Sequence, residues 1–135
     1  MSKVKDLNGR EVVWNLSANV PLADDTRPRS AGHLRARALL KQLYPTDRIL
    51  EEVTLPIAPV LYLDFYLPFR KLAVEVQGKQ HFEYTPLFHD SKAAFIRSQA
   101  NDRRKAEWCA LNGIKLAILE GAAEDAEWME IVLSL

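Results

Sequence analysis

The chain has 135 residues, of which 48% are hydrophobic, so it can form one folded domain with a core and is not a disordered protein. Eighteen basic residues balance eighteen acidic ones, so net charge alone gives no argument for a nucleic-acid partner, and any basic surface must be local. The single cysteine, Cys109, excludes an internal disulfide and a cysteine-based zinc cluster, and it fits a reducing intracellular compartment.

The N-terminal segment predicts a small appendage to one larger domain. No run of residues reaches transmembrane length and no signal-peptide core is present, so we expect a soluble, cytoplasmic protein with no membrane partner. Asn8-Gly9 separates two extended-looking runs, which predicts a β-hairpin. We therefore divide the chain into a hairpin and loop at residues 1–29 and a single domain at residues 30–135.

A first helix is predicted from Ser30, whose side chain suits an N-cap, to about Leu43. One side of this helix is apolar and is expected to be buried, and the other side is basic. The basic side chains favour either contacts with phosphates or an ordinary solvated helix face. The predicted buried residues are Leu34, Ala38, Leu39 and Leu43, and the predicted phosphate contacts are Arg35, Arg37 and Lys41.

Residues 61–77 are predicted to form two antiparallel strands joined by a four-residue turn. If Leu67 faces Leu72 across the turn, Asp64 lies opposite Glu75, and opposite side chains share a face at about 5 Å. Two carboxylates at that range repel each other unless a cation lies between them, and hard ions such as Mg²⁺ bind carboxylate and carbonyl oxygens. The pair therefore predicts a metal site, with a solvated strand face as the alternative.

Other polar residues are expected near this pair. Period-two alternation places Gln77 and Lys79 on the same face as Glu75. The preceding predicted strand, at residues 49–55, carries two adjacent glutamates, which point to opposite faces. We therefore expect one of them to approach the site; they are Glu51 and Glu52.

A long helix is predicted over residues 91–112, closed by an Asn-Gly pair. Gln99, Asp102 and Lys105 follow at spacings of three and share one face, which predicts nucleic-acid contacts or, alternatively, an ordinary surface ion pair. We expect Cys109 to be a buried, unreactive thiol. The residues expected to face the core from this helix are Ile96, Ala100, Trp108 and Leu111.

The last third of the chain completes the fold prediction. Residues 114–119 are mostly apolar and predict a buried strand after the long helix. Residues 122–135 have apolar residues at helical spacing and predict a closing helix. Strand, helix and strand in succession favour an α/β (α+β) fold with layered packing.

Three segments in a fixed order then carry a family resemblance: Asp64, the run Glu75-Val76-Gln77-Gly78-Lys79-Gln80-His81, and Asn101-Asp102-Arg103-Arg104-Lys105 followed by Asn112-Gly113-Ile114. Their order and spacing resemble the very-short-patch-repair-like branch of the PD-(D/E)xK nuclease superfamily, which includes small phage and bacterial endonuclease-like domains. The similarity covers about residues 30–119.

The resemblance implies a restriction-endonuclease-like core, a mixed β-sheet flanked by helices. Asp64 and Glu75 would bind Mg²⁺, with Mn²⁺ as a substitute, and the carbonyl oxygen of Val76 would be a further ligand. The activity implied is that of an endonuclease that hydrolyses DNA phosphodiester bonds, nicking or cleaving duplex or branched DNA, in a bacterial or phage-infected cell.

Two departures from the family pattern bear on activity. Gln77 stands where the superfamily often has a lysine, so Lys79, His81 or Lys105 is expected to supply the missing cation or a proton shuttle. His81 is favoured because the unperturbed pKa of histidine lies near neutrality, although a hydrogen-bonded structural histidine is the alternative. His33 stands where related sequences often have a glutamate. Glu51 or Glu52 would have to replace that glutamate.

Two other classes of function therefore remain open. One is a catalytically inactive nucleic-acid-binding or accessory module that keeps the nuclease fold, and the other is a structural or interaction protein. For the enzyme, cutting both DNA strands with a chain this small would require two copies, so a homodimer is an alternative to a monomer.

Overall fold

The computed structural model describes residues 2–16, 28–78 and 92–135. Within these ranges, local sequence signals mark the ends of several elements, such as Ser30, whose Oγ accepts a hydrogen bond from the His33 N–H at 3.1 Å and so caps the first helix. The elements follow the order β1 (Ser2–Lys5), β2 (Glu11–Trp14), α1 (Ala31–Leu43), β3 (Leu50–Thr54), β4 (Tyr62–Leu67), β5 (Leu72–Gln77), α2 (Lys92–Leu111), β6 (Lys115–Glu120) and α3 (Asp125–Leu133).

The central sheet has four strands in the order β3-β4-β5-β6. β4 is antiparallel to β3 and to β5, whereas β5 and β6 are parallel because α2 carries the chain back between them. β1 and β2 form a separate antiparallel hairpin, with Gly9 at a φ of +81° in its turn. The prediction of a mixed sheet with helices and an N-terminal hairpin is confirmed, while a restriction-endonuclease-like core stays a prediction.

Helices cover both faces of the sheet. α1 and α3 pack on the face that carries Phe65 and Val74. α2 and Trp14 of the hairpin pack on the face that carries Tyr66 and Ala73. Each of these sheet pairs consists of register partners on β4 and β5, and alternation along the strands assigns the two pairs to opposite cores.

α1 turns a different side to the sheet from the one predicted. Leu34 and Ala38, which were expected in the core, are exposed. Arg35 and Arg37, which were expected in solvent, bind acidic side chains of α3 and β3. Apolar spacing alone could not reveal these ion pairs, which hold both flanks of the helix against the protein. The buried residues of α1 are His33, Ala36, Leu39 and Leu40.

The long helix α2 and its predicted C-terminal cap are confirmed. Gly113 has a φ of +66°, the left-handed conformation that favours glycine just after a helix. The predicted core side of this helix was partly wrong, because Ile96 and Leu111 are about half exposed. The buried residues of α2 are Trp108 and Cys109, which pack against the sheet near the C-terminal end of the helix.

The N-terminal hairpin is attached to the end of α2. Trp14 is 3% exposed, and its ring centroid lies 4.7 Å from that of Tyr66 and 4.8 Å from that of Trp108. The Asn112 side chain bonds the backbone of β1: Oδ1 accepts from the Lys5 N–H at 2.7 Å, and Nδ2 donates to the Lys5 carbonyl at 3.0 Å. The hairpin therefore shares a core with the sheet.

Replacing this asparagine should loosen the hairpin. Asn112→Ala removes two hydrogen bonds to Lys5 and one to the Trp108 carbonyl. We expect it to lower the free energy of unfolding by roughly 1–2 kcal/mol in urea denaturation, and to speed amide exchange in β1. Asn15→Ala, at an exposed position after β2, is the control and should change stability by less than about 0.5 kcal/mol. Equal effects of the two substitutions would contradict the anchoring role.

Candidate active site

The predicted register of the central hairpin is confirmed. Leu67 pairs with Leu72 across the turn, and the last ladder pair is Phe65 with Val74. Continuing the same register, the next positions are Asp64 on β4 and Glu75 on β5. The two acids therefore lie opposite each other where the backbone pairing of these strands stops.

At this point side-chain carboxylates, instead of backbone carbonyls, accept hydrogen bonds from the backbone N–H groups. The Asp64 N–H donates to Glu75 Oε2 at 2.7 Å, and the Val76 N–H donates to Asp64 Oδ2 at 2.8 Å. Each carboxylate thus accepts a hydrogen bond from the backbone of the opposite strand. The two bonds hold both acids in the gap between β4 and β5, and neither bond uses Asp64 Oδ1.

Helix α2 brings a lysine to the pair. Lys105 Nζ lies 2.6 Å from Glu75 Oε1, which makes a charge-assisted hydrogen bond. Trp108 and Cys109 follow three and four residues later and pack on the sheet, so helical spacing places Lys105 on the same side. The Lys105 side chain is 19% exposed and that of Glu75 is 6% exposed, so the contact is largely removed from solvent.

The charges in this cluster do not balance. Burial, followed by the charge of Asp64, raises the pKa of Glu75 to about 7, and Lys105 opposes that rise. Two carboxylates face one ammonium group, and the ionised form of Glu75 is unfavourable despite its hydrogen bonds. An additional cation would stabilise that form.

The charge of Glu75 also affects the thiol of Cys109. Burial, with the charge of Glu75 as the second cause, raises the pKa of the Cys109 thiol to about 12. The thiol is buried and protonated at neutral pH, so the prediction of a buried cysteine is confirmed. The other titratable groups that meet at this point are the two carboxylates and the lysine.

The donor set suits a hard divalent ion. Within the described ranges, no group of three or more His, Cys, Asp or Glu side chains is arranged to hold a metal. Mg²⁺, however, is commonly bound through one or two carboxylates, with water and substrate phosphate completing its shell. Asp64, Glu75 and the carbonyl of Val76 meet that requirement, and the uncompensated charge of the two acids favours it.

Glu51 and Glu52 differ in their position relative to the pair. Glu51 is fully buried, with its Oε1 3.0 Å from His33 Nε2 and 2.6 Å from Arg37 Nη2. Arg29 approaches the carboxylates of Glu51 and Glu52 at 3.6 and 3.3 Å. Glu51 lies on the sheet face covered by α1, whereas the carboxylate pair lies on the α2 face. Glu52 occupies the β3 position opposite Asp64 in the strand register. The expectation that one of these acids approaches the site was therefore wrong for Glu51 and stays a prediction for Glu52.

The other residues predicted on this strand are only partly described. Val76 and Gln77 follow Glu75 on β5, and Gln77 is 8% exposed. Lys79 and His81 lie outside the described residues. Their roles as cation or proton shuttle therefore stay predictions.

The basic residues predicted on α1 differ in their surroundings. Arg35 Nε lies 2.5 Å from Asp125 Oδ1, and its guanidinium also lies over an aromatic ring of α3. Arg37 Nε donates to Glu51 Oε1 at 2.7 Å. Lys41 is exposed. Contact of these residues with a nucleic acid stays a prediction, but two of the three already have internal partners.

On α2, Lys105 is brought to the carboxylates, while Gln99 and Asp102 are half-buried elsewhere on the helix. The sequence indicated Lys105 only as one of three alternative cations. A stronger signal was present, because Lys105 precedes Trp108 and Cys109 by one helical turn. A lysine on the apolar side of a helix needs an acidic partner.

None of the helices in the described ranges combines the length and apolar character needed to span a membrane.

In comparisons with known proteins, no family model and no solved structure matches the chain.

Parts of three viral proteins are similar to the chain. "Uncharacterized protein 307L" of Invertebrate iridescent virus 6 is 41% identical over 56 residues, covering 42% of this chain and 28% of that protein. "Uncharacterized protein 094L" of Frog virus 3 (isolate Goorha) is 38% identical over 68 residues, covering 50% of this chain and 44% of that protein. The chain thus spans less than half the length of these curated relatives. Their names state no activity, so the resemblance to nucleases stays a prediction.

The raised pKa of Glu75 predicts that the free energy of unfolding falls with rising pH when a chelator removes divalent ions. The folded protein binds the Glu75 proton more tightly than the unfolded chain, so stability falls as pH rises from the ordinary glutamate pKa, 4.5, through about 7. Glu75→Gln removes this titration. Its stability relative to the native chain should rise between pH 5 and pH 8 by roughly 1–3 kcal/mol in urea denaturation.

The matched control is Glu107→Gln, an exposed glutamate of α2. Its stability relative to the native chain should not change with pH over that range. A flat difference for Glu75→Gln as well would show that burial and Asp64 do not perturb Glu75.

Proposed function

We propose that the protein is a metal-dependent endonuclease that hydrolyses phosphodiester bonds of DNA. One observation carries the proposal: the Asp64 and Glu75 carboxylates are held together in the gap between β4 and β5, with Lys105 against Glu75. Two acids and a lysine converging on one point are the groups that the family resemblance requires, although the lysine comes from a helix instead of the strand.

The electrostatics of Glu75 support a functional role. A buried acid whose pKa is raised beside a second acid makes the folded state less stable at neutral pH. A purely structural position would be served better by a neutral side chain of similar shape. Perturbed acids of this kind are typical of catalytic and metal-binding sites.

Within the proposal, each group has a defined task. Asp64, Glu75 and the Val76 carbonyl hold the divalent ion, Mg²⁺ or Mn²⁺. When bound, such an ion supplies a water of lowered pKa and offsets the charge that builds on the phosphate. Lys105 holds an ammonium group beside Glu75. We assign it the task of hydrogen-bonding the water or a phosphate oxygen, which the family's lysine would perform at the position occupied here by Gln77.

A catalytically inactive nucleic-acid-binding module is the second candidate. Lys105 already neutralises part of the Glu75 charge without a metal, at 2.6 Å from Oε1. If this ion pair excludes the metal, the fold is retained and cleavage is lost. Metal binding and cleavage therefore separate the two candidates.

Cleavage tests the enzyme proposal directly. Purified protein with Mg²⁺ or Mn²⁺ should cut at least one of supercoiled, linear duplex, single-stranded and branched DNA, with RNA as a comparison. Asp64→Asn and Glu75→Gln should each lower the rate by roughly 100-fold or more, because each removes a metal ligand. Glu107→Gln should cut at the native rate, and chelator should stop cleavage.

Equal cleavage rates for the native chain, Asp64→Asn and Glu75→Gln would contradict the catalytic assignment. Salt-dependent DNA binding by a native chain that cuts none of these substrates would support the inactive module instead.

The role of Lys105 has its own test. Lys105→Met should lower the cleavage rate by roughly 100-fold, the typical cost of losing one preorganised donor. It should not weaken Mg²⁺ binding, measured as the shift in melting temperature across a Mg²⁺ titration, because the variant removes a cation that competes for Glu75. Lys115→Met is the control; Lys115 Nζ donates to the Leu135 carbonyl, away from the pair. Unchanged cleavage by Lys105→Met would exclude the lysine from the reaction.

A further inference from the structure

The space between β5 and α2 changes from apolar to polar at the level of the carboxylate pair. β5 and β6 are parallel and α2 connects them, so α2 runs antiparallel to β5. Ala73 of β5 and Cys109 of α2 belong to one apolar core cluster. Two strand residues and one helical turn further on, Lys105 Nζ lies 2.6 Å from Glu75 Oε1. An apolar layer is thus followed by a charged layer.

The next layer in the same direction contains two carboxamides. Two strand residues rise about 6.6 Å and four helix residues rise about 6 Å, so strand and helix stay in step beyond Glu75 and Lys105. The same spacing leads to Gln77 on β5 and Asn101 on α2. Strand alternation keeps Gln77 on the face of Glu75, and four-residue spacing keeps Asn101 on the side of Lys105. We call Gln77 and Asn101 the amide pair.

Burial along α2 supports the position of Asn101. Asn101 is half-buried, as are Ser98 and Lys105, which lie about one turn before and one turn after it on the same side of the helix. Arg103 and Glu107, which helical geometry places on the opposite side, are exposed. The side of α2 that faces the sheet is therefore polar from Lys105 toward the N-terminus.

Gln77 is a buried amide without a hydrogen-bond partner. It is 8% exposed, and in the part of the chain that the structure describes neither its side chain nor that of Asn101 forms a hydrogen bond. Buried amides are nearly always hydrogen-bonded, because an unpaired amide loses its bonds to water without replacement. A hydrophobic side chain would fill the position without that cost. The unpaired amide of Gln77 therefore points to a ligand that supplies the partner.

The location of the amide pair indicates the class of ligand. The pair lies one layer beyond Glu75 and Lys105, where the proposed function places the scissile phosphate. Carboxamides are neutral, and their N–H groups donate to phosphate and sugar oxygens. Such contacts position a nucleic acid without reading its sequence.

We propose that the amide pair binds the sugar–phosphate backbone of DNA beside the scissile bond. The inference rests on the proposed function and adds two substrate contacts to it, one from β5 and one from α2.

Binding in the absence of cleavage tests the amide pair. A fluorescently labelled DNA duplex is titrated with the protein in chelator at about 50–200 mM KCl, and anisotropy gives the affinity. The double variant Gln77→Met/Asn101→Ala removes both amides and should bind roughly tenfold or more weakly. The slope of log affinity against log salt should stay unchanged, because neutral side chains displace no counterions from DNA.

The melting temperature separates substrate binding from a structural role. Methionine fills the space of Gln77 without an unpaired polar group, and alanine favours a helix more than asparagine does. The double variant should therefore melt at or above the native temperature while it binds DNA more weakly. Mg²⁺ should raise its melting temperature as much as that of the native chain, because Asp64 and Glu75 are retained.

The matched control is Gln42→Met/Asn15→Ala, which makes the same two replacements at exposed positions of α1 and after β2. It removes neither a charge nor a residue near the carboxylates. Its affinity for DNA should stay within about twofold of that of the native chain.

Native affinity in the Gln77→Met/Asn101→Ala variant, an equal loss in the control, or a lower melting temperature accompanying the loss would overturn the inference. A salt slope shallower by about 1 would also overturn it, because the lost contact would then be that of a cation. Failure of the proposed function looks different: DNA binding that depends on the amide pair would persist while the native chain with Mg²⁺ cuts nothing.

Discussion

The backbone ladder between β4 and β5 ends at Phe65 and Val74, and beyond it the N–H groups of Asp64 and Val76 donate to carboxylates instead of carbonyls. This exchange fixes both acids to the backbone, because each carboxylate serves as the hydrogen-bond partner that the opposite strand would otherwise have supplied. It also opens a gap between the strands without leaving these two N–H groups unpaired. Strand pairing, acid placement and the candidate metal site therefore depend on one set of bonds.

The two buried glutamates of the sheet, Glu51 and Glu75, have different electrostatic surroundings. Glu51 lies on the α1 face, where two arginines and a histidine surround it. Glu75 lies on the α2 face with a second acid and a single lysine, and its pKa is raised accordingly. The first cluster ties α1 to β3. The second has an excess of negative charge, which a divalent ion would neutralise.

The helices on the two faces of the sheet also differ in their contacts. Arg35 of α1 bonds Asp125 and the carbonyl of Ala123 and lies over Trp128, so α1 and α3 are fastened together on one face of the sheet. α2 packs on the other face through residues near its C-terminal end. Its N-terminal part carries exposed basic residues.

The sequence by itself determined the elements and the central register. Turn length and strand alternation placed Asp64 opposite Glu75, Asn8-Gly9 marked the hairpin, and Ser30 and Gly113 marked helix ends, because these signals act between residues close in the chain. Only the tertiary structure decided which side of α1 is buried, which acids bind its arginines, and that Lys105 is the cation beside Glu75. Those outcomes depend on how each helix is rotated against the sheet, and packing between distant parts of the chain sets that rotation.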